Sequence, residues 1–236
     1  MGNKLTKVQR AEQAERKLAG VLHVPLDCKT LKTALKRAMK DRRYHTIFVG
    51  KGEHQVKASA DRTKWLHIDF PITIVGKGEK NEVVVVGGFK IEEGVQGNVH
   101  LQNMTIRHLN DTGVDGKSPF TLEDVIVEQC GQHGVFAKGT ACVARCTNVE
   151  VRQCNMSGMV ASSGAITLMG AKTTVHHNCI YGYSGASGLH VSNADSKIQL
   201  VHPLTKESVA TDNQGGGNWD ADYGVKIKQI LTIPAE

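Results

Sequence analysis

An all-β fold, a right-handed parallel β-helix solenoid with an N-terminal amphipathic capping helix, is what this chain of 236 residues predicts. Three observations carry the expectation. After Arg43 the chain becomes a succession of short β-rich runs broken by Gly, Asn and Asp. Four of those segments repeat at near-constant spacing, opening at Asn103, Asp124, Asn148 and Thr173, which are 21, 24 and 25 residues apart. A period of that size marks a solenoid, in which each repeat buries its face only against its neighbours. The composition agrees: 25 Gly against 5 Pro suits many tight turns, and with aromatics at 5% the core must be built from Val, Ile, Leu, Ala and Cys.

The elements follow in order. Residues 1–26 read as a basic arm or helix. They open with Met1-Gly2-Asn3-Lys4-Leu5-Thr6, which fits the pattern for N-myristoylation of Gly2. One acyl chain holds a membrane only marginally, so Lys4, Lys7, Arg10, Arg16 and Lys17 are the expected second signal, drawn to anionic lipid. Residues 27–43 read as the capping helix, with Thr30 as its N-cap. Leu31, Ala34, Leu35, Ala38 and Met39 form its apolar stripe and cover the open edge of the first rung. Residues 44–200 hold the rungs, roughly seven in number. Residues 201–236, with the Gly-rich NQGGGNWDADYG and the run VKIKQILTI, close the far end.

Written one above the other, the repeats NMTIRHLNDTGV, DVIVEQCGQHGV, NVEVRQCNMSGM and TTVHHNCIYGYS define columns. Met104, Val125 and Val149 form one inward column, and Ile106, Val127 and Val151 another. A third is read as Leu109, Cys130, Cys154 and Cys179. Arg107, Glu128, Arg152 and His177 alternate with these and point outward. Rungs about 4.8 Å apart then set opposite charges side by side as Arg107–Glu128–Arg152. His108, Gln129, Gln153 and Asn178 take a corner as an amide ladder. His176 falls in an inward column, which means either a register slip or a buried, bonded imidazole. A polar residue opens each of the first three runs, and Gly113-Val114, Gly134-Val135 or Gly158-Met159 closes it.

Charge is segregated along the chain. Residues 1–64 carry 16 Lys/Arg against 6 Asp/Glu, and the remainder 13 against 17. A basic end on a mildly acidic body points to an anionic partner for that end: an anionic membrane surface, or an assembly partner including further copies of the chain. Nucleic acid is not expected. The start lacks the apolar segment of an export signal, so a cytoplasmic setting with reduced cysteines is expected, or a virion- or membrane-associated one. Cys142 and Cys146 have no second pair at zinc-finger spacing. The run Gly215-Gly216-Gly217 lacks the Lys and Ser/Thr of a phosphate loop. Neither cofactor nor metal is expected.

The layout TLKTALKRAMKDRRYHTIFVGKGEH, then PITIVGKG, VVVVGGFKI and NVHLQNMTI, resembles the opening of the pectate-lyase-like β-helix superfamily over residues 28–200. That resemblance implies the fold and raises polysaccharide as a partner. It does not settle activity, because members include lyases, hydrolases and tailspikes. A lyase site would need carboxylates clustered for calcium. Glu92-Glu93, Asp111, Asp115, Glu123-Asp124, Glu150 and Asp195 are scattered, and Asp220 with Asp222 is the next-best pair. Polygalacturonase-like motifs are met only by Asn110-Asp111-Thr112; Gly131-Gln132-His133-Gly134 and Val225-Lys226-Ile227-Lys228 depart from the pattern. His190 and the pair His176-His177 read as surface or corner residues. Tyr181, Tyr183, Trp219 and Tyr223 are the only aromatics that could form a late platform. The expected function is therefore a non-enzymatic scaffold or binding module. The alternative is a polysaccharide-active lyase or hydrolase with an atypical site on an outer face.

Overall fold

The computed structural model describes residues 6–58, 63–222 and 224–235. Parallel strands stack on three faces around a single apolar core. The first face runs from Val21–Val24 through Thr46–Gly50, Ile72–Lys77, the first halves of Val99–Arg107 and Phe120–Glu128, then Val143–Thr147, Ala165–Met169 and Lys197–Val201 to Ile230–Ile233. The second halves of the two long strands bend onto a second face with Gly52–Gln55, Val83–Val86, Glu150–Arg152, Thr174–His176 and Ala210–Thr211. Seven strands from Trp65–Ile68 to Trp219–Ala221 form the third face, so the chain completes about six turns. The stretch 1–26 holds helix α1 (Lys7–Leu18) and the first strand of the first face.

Side-chain chemistry explains the corners. Asn103, Asp124 and Asn148, the polar residues that open the repeats, sit at φ +57°, +50° and +54° and turn the first face into the second. Asn and Asp tolerate this left-handed region better than other non-glycine residues. Gly113, Gly134 and Gly158 make the turn into the third face. A Cβ on Gly134 would stand 2.4 Å from Val151 Cγ1 and 2.6 Å from the Gly158 carbonyl oxygen, so only glycine fits there. Inside, Ile74, Leu101, Leu122, Cys146, Leu168 and Leu200 stack in register and are fully buried.

Helix α2 (Leu31–Lys40) caps the first rung. Thr30 is its N-cap, in a reciprocal capping box with Thr33, and Leu31, Ala34, Leu35 and Ala38 are buried while Met39 is exposed. A one-turn helix, α3 (Lys206–Val209), packs beside the last strands.

The expected column of Leu109, Cys130, Cys154 and Cys179 is corrected at both ends. Leu109 is 58% exposed, and the buried His108 takes its place, with its Nδ1 2.8 Å from Thr112 O and its ring edge-on to Trp65. At the other end Asn178 replaces Cys179. The cause is the preceding corner: between Thr147 and Glu150 the chain turns on Asn148 alone, whereas Gly170, at φ +81°, begins a turn two residues longer before Thr174. The fourth repeat is thereby shifted by one. Val175 pairs with Val151 inside, and His176 pairs with Arg152 outside. The amide ladder is likewise split, because Gln129 Nε2 meets Gln153 Oε1 at 3.4 Å while His108 and Asn178 turn inward.

Candidate functional site

The capped end carries basic side chains from both N-terminal helices. Helix α1 is fixed there by Arg16, whose Nε and Nη2 each reach the Asp27 carboxylate at 3.2 Å; that carboxylate also accepts the His23 backbone N–H at 2.9 Å. Arg16 is therefore committed inside the protein and is not available to a lipid surface. Lys17, one residue on, lines two clefts. One, of about 670 Å³, lies between α1 and Gly20, Arg43 and His45. The other, of about 400 Å³, lies against α2, where Lys36, Arg37, Lys40, Asp41 and Tyr44 complete the wall. Among the described residues, no carboxylate lies within 4 Å of the Lys17, Lys36 or Lys40 ammonium groups. Gly2 and Lys4 lie outside the described residues, as do the side chains of Lys7 and Arg10.

On the second face a ladder of opposite charges is matched. Glu128 on the second face accepts from Arg107 at 2.5 Å and from Arg152 at 2.8 Å, Arg152 also grips Glu150, and His176 Nε2 is 3.3 Å from the same Glu150 oxygen. Burial works to raise the Glu128 carboxyl, but the hydrogen bonds and charges of the two arginines outweigh it and hold it below its ordinary range. His176 and His177 do not diverge as alternating strand residues would. His177 is left-handed at the corner, and the two Nδ1 atoms meet at 2.8 Å. Glu92 faces His67 at 2.6 Å, and Glu123 lies 3.1 Å from His100 without hydrogen-bond geometry. Asp124 shapes a corner and Asp195 is an exposed turn residue.

The third face brings together residues that the sequence leaves apart. His190 Nε2 is 3.1 Å from Asp222 Oδ1, and its Nδ1 is 3.4 Å from Ser187 Oγ. The order Ser–His–Asp is that of a nucleophilic triad, yet Ser187 is fully buried and donates to Leu189 O at 2.8 Å. The hydroxyl is sealed from substrate, and what it does is orient the imidazole. His133, beside Phe136, is lowered to about 4 by burial and then by the neighbouring His190 charge, so it is neutral at physiological pH. Asp115 is raised by burial despite Lys90, Lys117 and Lys138. Asp220 does not join Asp222, because it accepts the Ala221 N–H at 2.8 Å. Spacing gave no signal for the His190–Asp222 pair, since 32 residues and one full turn separate its members.

The late aromatics do not form one platform. Tyr181 and Tyr183 are exposed and edge-to-face at 6.1 Å, whereas Trp219 packs toward the core with Lys206 Nζ 5.2 Å over its ring. Tyr223 lies outside the described residues. Leu109, Gln129, Gln153, Asn155 and Ile180 instead line a shallow cleft of about 400 Å³ along a corner. Among the described residues no group of three or more His, Cys, Asp or Glu is placed to hold a metal ion, and no helix is long and apolar enough to cross a membrane. No family model, curated protein or solved structure matches the chain.

Proposed function

We propose that the chain is a non-enzymatic binding module: a rigid β-helix rod, of the pectate-lyase-like kind, that presents a basic capped end to an anionic surface. One observation carries this reading. Lys17, Lys36 and Lys40 line a single cleft whose one carboxylate, Asp41, is held chiefly by Arg43 at 2.8 and 2.9 Å. A surface built only for solubility intersperses both signs. The acylation pattern at Gly2 belongs to the same reading as a second, independent membrane signal, and so does a membrane- or assembly-associated location.

The test is retention of the full-length protein on anionic vesicles over rising salt. Retention should fall steeply with ionic strength and be lost in the triple variant Lys17→Glu/Lys36→Glu/Lys40→Glu, with its melting transition kept. Undiminished retention by a folded triple variant refutes the reading. A second reading, a polysaccharide-active enzyme, rests on the oriented His190–Asp222 pair. Incubation with uronic-acid polymers, with and without calcium, would release unsaturated or reducing ends if it holds. No new ends across the panel counts against it.

A further inference from the structure

The cleft between α1 and α2 is more selective in its chemistry than a generally basic surface. Its cations come from different directions: Lys17 from the last turn of α1, and Lys36, Arg37 and Lys40 from α2. Lys36 and Lys40 stand one turn apart, where like charges oppose each other and weaken an isolated helix. Lys40 and Arg37 lie in the last turn, where they also complement the helix dipole, but Lys36 does not. Lys32 continues the row at the same spacing, yet its ammonium is already donated to Lys57 O at 3.1 Å.

The rest of the wall holds Arg37 in place and answers the lysines only in part. Asp41 is held below the usual carboxylate range, chiefly by its hydrogen bonds from Arg43 and to a lesser extent by the charge of Lys17. Arg37 donates from Nη2 to Tyr44 Oη at 3.0 Å and lies 5.1 Å from the centre of that ring. A guanidinium has five N–H donors, so most of its fork is left for another acceptor. An open depression of about 400 Å³ lined by four cations from two helices fits a compact group that carries several charges itself.

We infer that this cleft binds a polyphosphorylated ring, either free in solution or as the headgroup of a lipid. The inference rests on the binding-module reading above and narrows it to one ligand class. Phosphate is favoured over carboxylate because each group brings up to two charges and three acceptor oxygens to a cluster of donors.

The experiment is calorimetric titration of the full-length protein with inositol hexakisphosphate, beside sedimentation with three vesicles: phosphatidylcholine alone, phosphatidylserine-doped, and phosphatidylinositol bisphosphate-doped at matched charge. The expected result is saturable one-to-one binding of the soluble polyphosphate, or a clear preference for the phosphoinositide vesicle over the phosphatidylserine one. Which arm responds identifies the source. Lys36→Glu and Lys40→Glu should each weaken binding about tenfold or more, while Lys36→Arg retains it and Lys197→Glu, on the first face, leaves it unchanged. Each variant's melting transition is recorded, and Lys40→Ala replaces any variant that fails to fold. Equal sedimentation with both anionic vesicles and no response to the soluble polyphosphate overturns this inference while keeping the broader reading. Failure of every anionic arm overturns both.

Discussion

The outer ladder on the second face makes a sharp quantitative prediction at Glu128. Its side chain is 7% exposed and lies between Arg107 and Arg152, which are 28% and 34% exposed. Glu128→Gln keeps the shape and removes the charge, so both guanidiniums lose their shared counter-ion. Breaking a fully buried pair costs roughly 3–5 kcal/mol and a surface pair roughly 0–1. Because water reaches about a third of each arginine, the expected loss is about 2 kcal/mol, or ~4–8 °C in melting temperature for a chain of this size. The pH dependence is fixed in sign. A carboxyl held lower in the folded chain than in the unfolded one stabilises above its unfolded value and loses that effect as pH falls through the folded one. The gap between wild type and variant should therefore be constant near neutrality and close below about pH 4.3. Urea denaturation across that range is the assay. No gap near neutrality, or one that widens in acid, refutes the reasoning.

Four further outcomes are expected. Gly134→Ala should destabilise by about 3 kcal/mol through its contacts with Val151 and the Gly158 carbonyl. Gly139→Ala, at φ +92° but with nothing within 4 Å, should cost only about 1–2 kcal/mol, both read from denaturation midpoints. Asn178→Ala removes hydrogen bonds to Cys154 N–H, Val151 O and Asn213 Oδ1 from a fully buried site, and should cost about 3 kcal/mol with loss of amide-exchange protection in the neighbouring rungs. All six cysteines are buried, with burial pushing Cys142 and Cys146 up to about 12 and Cys179 to about 11; a thiol reagent should label the native chain slowly and the denatured chain at six sites.

The parts of the fold legible in the sequence are those with a local physical cause. The capping helix shows because its stripe and its Thr30 cap act within a few residues. The inward columns Met104–Val125–Val149 and Ile106–Val127–Val151 show because alternation and a steady period coincide there. The register failed where the cause is a turn length. Asn148 and the longer turn from Gly170 do the same work at one corner, and a count of residues cannot tell a wider loop from a shifted strand. The dilemma over His176 was that error seen from inside, and the shift by one resolves it. Strand Val21–Val24 lacked a signal of its own, since VLHV is four residues long and its partner Thr46–Gly50 lies beyond α2. The candidate sites were less legible still. The residues of the basic cleft are visible as charge, but their convergence depends on α1 being tied by Arg16 to Asp27 across the first strand.

Stacking decides where many of the charges along this rod are satisfied. Each outer residue of a solenoid has neighbours one rung above and below, so an acidic residue in a column of arginines is neutralised by the architecture itself, as Arg107, Glu128 and Arg152 are. The same stacking pairs Lys51 with Glu82 at 2.7 Å and His67 with Glu92. An end has neighbours on one side only. A cap can therefore present charges that no rung answers, and Lys17, Lys36 and Lys40 do so around a cleft rather than dispersed over a convex surface. Stacking matches charge only where opposite signs share a column: on the third face Lys90, Lys117 and Lys138 all act on the single carboxylate of Asp115. What sets the capped end apart is that its lysines come from two helices and not from one column of strands.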